Sequence, residues 1–126
     1  MQQVAYISQL TTSSSKYSRD AMQGNYYYEA VQVNVLQNGK YTLASDSTMN
    51  TYGYIYNDTF DPLNPSKNLI HEDDSSECNG QFKLVIDLQK QMKYILVVTT
   101  NNPNVTGSFS ILALGPNNVT VQNLSE

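Results

Sequence analysis

The side chains of this 126-residue chain that could carry chemistry are few: one histidine, His71, one cysteine, Cys78, and the acids Glu72, Asp73, Asp74 and Glu77 around them. Nucleophilic hydrolysis needs a Ser or Cys with a base in hydrogen-bond reach and a third group to orient that base. His71 sits at the end of a strand candidate beside Glu72, where a surface histidine is the plain reading, and one His with one distant Cys does not make a zinc site. Glycine loops that cradle phosphate and dinucleotide fingerprints are absent from the sequence. The expectation is a protein that is not an enzyme. The acids carry the one constellation with chemical meaning. Hard oxygen donors close together in a loop are what Ca²⁺ takes, typically about six to eight of them. The candidate set is Asp73, Asp74 and Glu77, completed from elsewhere by Asp46 or Asn50; a solvated acidic turn that keeps a sheet end soluble explains the same residues.

Tyrosine is the second feature, with 10 Tyr against 3 Phe and no Trp. Tyr52, Tyr54 and Tyr56 alternate onto one face of a strand, whereas the consecutive Tyr26, Tyr27 and Tyr28 must point to both faces. Two readings stay open. A solvent-facing platform would present Tyr52, Tyr54, Tyr56 and Tyr27 to a glycan or an extended peptide, through large rings with polar tips. Cross-strand aromatic pairing that covers the edge of a sandwich would use the same rings structurally.

Cys78, alone in the chain, cannot form an internal disulfide; it is a free thiol or the partner of a cysteine outside this segment, and no cation stands near it to activate a thiolate. Asn57, Asn104, Asn118 and Asn123 each open an Asn-X-Ser/Thr acceptor pattern beside turn residues or at the tail. Together they point to a secreted or extracellular glycoprotein. The seven basic residues are scattered, and a net charge of -4 leaves nothing to displace phosphate counterions, which argues against nucleic acid. No apolar run approaches the roughly 18 residues of a membrane span, so no membrane insertion is expected. No signal peptide is visible at the N-terminus, so a secreted chain would carry its signal upstream of Met1.

The elements that must position these residues read as strands. Phe82, Leu84, Ile86 and Leu88 alternate with Lys83, Val85 and Asp87, the two-residue period of a strand with one buried face. The run from Tyr94 to Val98 is apolar on both faces, as in a central strand, and the short polar link before it predicts a hairpin. Val31, Val33 and Val35 mark another inward face, and Asn38-Gly39 after it signals a tight type I′ turn that returns the chain as "KYTLAS". Further candidates lie at 4–9, 52–56, 68–71, 108–114 and 119–122, with Gly115-Pro116 parting the last two. The stretch 11–25 is expected as a long polar connection, and the loop holding Pro62 and Pro65 cannot be interior strand. No internal repeat or boundary divides the chain. The expectation is one all-β domain over residues 1–126, core about 4–122, an antiparallel β-sandwich of jelly-roll type with about eight strands, cut from a larger multidomain protein.

The order of pieces resembles a known family. The strand "YYYEAVQVNV" leads into Gly39-Lys40-Tyr41-Thr42, then "NLIHEDDSS", then "YILVVTT", and a closing "GSFSIL". This is similar to the bacterial pre-peptidase C-terminal domain and the wider PPC-like jelly rolls, including collagen-binding domains, over roughly residues 7–114. The sequons and Cys78 depart from bacterial habit and suggest a eukaryotic relative. The resemblance implies an ancillary module that binds an extracellular glycan or matrix protein, with calcium on acidic loops in several members. The alternative it leaves open is a spacer in a tandem array that touches only neighbouring modules of the same chain.

Overall fold

The computed structural model describes residues 2–18, 26–73, 80–100, 102–117 and 119–123. They form β1 (Gln2–Leu10), β2 (Ser15–Tyr17), β3 (Tyr26–Val35), β4 (Gly39–Ser47), β5 (Thr51–Asn57), β6 (Leu69–Asp73), β7 (Lys83–Leu88), β8 (Tyr94–Thr100), β9 (Gly107–Gly115) and β10 (Val119–Asn123). One sheet of four strands runs β1-β9-β4-β7; the other, of six, runs β10-β3-β8-β5-β6 with β2 also on β3, and every pairing is antiparallel. With β2 and β10 set aside, the remaining eight strands pair first with last: β1 with β9, β3 with β8, β4 with β7, β5 with β6. That winding is a jelly roll.

The alternating strands enclose one interior. Val31, Val33 and Val35 of β3, Tyr41 and Leu43 of β4, Leu84 and Leu88 of β7, Leu96 and Val98 of β8, and Phe109 and Ile111 of β9 share the main core. β8 is buried at every position because it is central in its sheet and covered on both faces.

Two expected hairpins are crossovers instead. β3 and β4 lie in different sheets, as do β7 and β8. Residues 36–38 span about 10 Å when extended, the separation of stacked sheets, so the short link serves a crossing as readily as a turn. Neither Asn38 nor Gly39 takes positive φ. Asn38 uses its side chain to clip the crossings together, its Oδ1 accepting from the Lys90 N–H at 2.8 Å. Gly39 is needed for close approach: a Cβ there would stand 2.7 Å from Pro116 Cγ. The polar stretch expected as an open connection contains β2, which pairs Ser15, Lys16 and Tyr17 with Tyr28, Tyr27 and Tyr26.

Candidate functional site

The tyrosines settle first. Tyr52, Tyr54 and Tyr56 do share the outer face of the six-stranded sheet, but Tyr54 and Tyr56 are 0% exposed. β2 and the loop 58–68 fold over that face and make a second, smaller core from Tyr17, Tyr26, Tyr54, Tyr56, Ile95 and Val97, with Phe60 and Leu69 packed against it. Phe60 is the keystone, its ring centroid 4.8 Å from Tyr56, 5.3 Å from Tyr28 and 5.5 Å from Tyr17. The Tyr56 hydroxyl donates to the Pro65 carbonyl at 2.6 Å, and Asp58 and Asn68, both at positive φ, close the loop. Tyr27 points the other way, into the main core. The platform expected of Tyr27, Tyr54 and Tyr56 is therefore corrected: rings shut away from water cannot meet a glycan. Tyr52 stays partly exposed, stacked at 4.8 Å on Tyr54, with its hydroxyl donating to Glu72 at 3.2 Å.

The calcium set is parted. Asp46 stands exposed on the outer face of the four-stranded sheet, while Asp73 ends β6 at the rim of the other sheet, opposite Gly53. Asp74, Glu77 and Cys78 lie outside the described residues. Among the described residues no three His, Cys, Asp or Glu side chains gather as a metal site would require. His71 is exposed on β6. Of the sequons, Asn57 and Asn104 are exposed at a strand end and in a turn, Asn123 closes β10, and Asn118 lies outside the described residues.

The feature the sequence reading missed is Glu29. The odd positions of β3 face inward, and Glu29, paired with the core residue Val98, shares that face with Val31 and Val33. An acid there needs partners, because a carboxylate out of water without hydrogen bonds is costly. It has three. The Tyr6 and Ser8 hydroxyls of β1, in the opposite sheet, donate to it (Ser8 at 2.6 Å), and the Asn123 amide of β10 donates at 3.0 Å. Tyr6 is held in its neutral, donating form: burial, then the hydrogen bond to Glu29 and its charge, push the phenol up to about 12. A carboxylate has about four acceptor positions, so roughly one remains for a ligand.

Pairing explains why this carboxylate is reachable. Along the edge of β3 away from β8, β10 covers Val31 to Val35 and β2 covers Tyr26 to Tyr28, so no described strand covers Glu29 and Ala30. The notch left there is a cleft of about 490 Å³, within the usual size of small-molecule sites. One wall is polar, with Ser8, Gln9, Glu29, Asn123 and the hydroxyls of Thr11, Ser13, Ser14 and Ser15; the other is formed by Tyr28, Phe60 and Pro62. Burial also raises the Tyr28 phenol above its ordinary value, keeping it a neutral hydroxyl. Glu29 is the sole carboxylate and there is no His or Cys among the described lining residues. The arrangement can accept and donate hydrogen bonds and offer ring faces; its described lining residues include no second acid of the kind glycoside chemistry uses.

No family model matches the chain, and no curated protein or solved structure shows significant similarity to it.

Proposed function

We propose that this chain is a non-catalytic extracellular binding module that takes a neutral carbohydrate in the notch at Glu29. The observation that carries the reading is the pairing, in one cleft, of a preorganised carboxylate flanked by an amide and hydroxyls with a wall of Tyr28, Phe60 and Pro62. Sugars present both surfaces, hydroxyls in a ring around an apolar C–H face, and such sites are fixed by a few placed polar groups on a largely apolar frame. The cleft has room for one or two sugar units rather than for a folded matrix protein. The sequons and the resemblance to PPC-like jelly rolls support a secreted, ancillary role beside other modules. Calcium, deprived of Asp46, is no part of this proposal.

A glycan array followed by calorimetric titration tests it. The native chain binds a restricted set of neutral glycans, and Glu29→Gln, which keeps the shape but removes the charge, weakens binding about tenfold or more, as expected for a charge-assisted hydrogen bond. Binding unchanged in Glu29→Gln, or no glycan bound at all, overturns the proposal and returns the chain to the spacer reading.

A further inference from the structure

Asn123 belongs to two features at once. It opens the acceptor pattern Asn123-Leu124-Ser125, and among the described sequon asparagines it alone lines the cleft at Glu29. Asn57 ends β5 and Asn104 stands in a turn, and neither is part of the cleft wall. The Asn123 amide is held there by its bond to Glu29, yet the residue is exposed, so a group attached to it has a way out to solvent. Taking the notch as a carbohydrate seat, the reading on which this rests, we propose that Asn123 is N-glycosylated and that its first sugar lies in the notch. The modification then fills the space a free glycan would take.

The bond chemistry fixes where that sugar begins. The oligosaccharide arrives on a lipid diphosphate. Nδ2 forms a bond to its anomeric carbon, the carbon–oxygen bond to the diphosphate breaks, and the diphosphate leaves with that electron pair. Nδ2 releases one proton and keeps one N–H. A carbon–nitrogen single bond is about 1.5 Å long and Nδ2 stands 3.0 Å from Glu29 Oε2, so the anomeric carbon lies within roughly 4.5 Å of that oxygen. The sugar therefore starts in the mouth of a cleft of about 490 Å³. Its hydroxyls meet Ser8, Thr11 and Glu29, and its C–H face meets Tyr28 and Phe60. The N–H that Nδ2 keeps is enough for the Glu29 bond, and the Tyr6 hydroxyl, the amide's other neighbour, still donates to Glu29. Tethering does the rest. A sugar held by so short a link has an effective concentration on the order of millimolar at its seat, so even a weak seat stays filled.

The test secretes the full chain from cultured eukaryotic cells behind an added signal sequence and compares it with Ser125→Ala. That variant loses the acceptor pattern but keeps the Asn123 amide and the other sequons. Peptide mass mapping is expected to find Asn123 occupied in the native chain and bare in Ser125→Ala. Proton–proton contacts in NMR spectra of the glycosylated chain are expected between the first sugar and the Tyr28 and Phe60 rings. A free glycan that Ser125→Ala binds should bind the glycosylated chain about tenfold or more weakly, the factor for a cleft open in a tenth of molecules or fewer. Asn123 bare in the secreted native chain overturns the inference. A sugar that touches neither ring, or equal glycan binding by the two forms, does so as well. Failure of the notch reading is told apart by Ser125→Ala alone: if it binds no glycan on an array, that reading falls, while occupancy and ring contact still decide where the attached sugar sits.

Discussion

The two sheets of the sandwich treat their outer faces in opposite ways. The six-stranded sheet has rings on its outside, Tyr54 and Tyr56 among them, and spends β2 and the loop 58–68 to cover them. The four-stranded sheet has aliphatic side chains on its outside and leaves them uncovered by any described strand, with Ile7 79% and Val85 45% exposed. The difference follows from size. Burying an aromatic removes far more apolar surface than burying a Val or an Ala, so a cover over rings is stabilising enough to order a short polar segment such as β2. The notch at Glu29 is a by-product of the covered side, because β2 and β10 leave two residues of the β3 edge, Glu29 and Ala30, between them.

The comparison breaks first at Tyr56. Tyr56→Ala removes a fully buried ring and the hydroxyl bond to Pro65, and is expected to cost about 3–5 kcal/mol in denaturant unfolding. A loss under about 1 kcal/mol would mean the cover is not formed. Phe60→Ala, at a partly buried ring that touches Tyr17, Tyr28 and Tyr56, should cost about 2–3 kcal/mol and make the loop 58–68 the first site of limited proteolysis.

Smaller effects sharpen the line between the faces. Because the Tyr6 phenol is raised from 10.0 to about 12 in the folded chain, its contribution is complete below pH 10 and lost as the pH rises toward 12. Screening by solvent at this half-open site reduces that contribution to about 1 kcal/mol. Native stability should fall across that window more steeply than that of Tyr6→Phe; parallel curves would remove Tyr6 from the Glu29 network. Last, Val85→Thr on the bare face should change monomer stability by less than about 0.5 kcal/mol. A loss of several times that would show this face to be covered after all.

Much of the fold was legible because strand periodicity is local. The alternation at residues 82–88 and the break at Gly115-Pro116 give β7, β9 and β10 directly. Partner choice was not legible: the same Asn38-Gly39 signal serves a hairpin or a crossing, and only the core decides which sheet receives "KYTLAS". β2 was hidden because three residues of SKY carry no period, and its pairing depends on the tyrosines it covers. The site had one readable sign, an acid at position 29 on the face shared by Val31, Val33 and Val35. Its donors come from 23 residues before, in Tyr6, and 94 after, in Asn123, a juxtaposition that only the winding of the roll creates.

The most direct measurement is amide chemical-shift mapping of the isotope-labelled chain during titration with a glycan it binds. Shifts confined to the notch, at Ser8, Thr11, Ser14, Glu29, Ala30 and Asn123, are the expected result. Shifts centred on Tyr52 and Glu72, or on Leu112 and Val85, with the notch unmoved, would contradict the account.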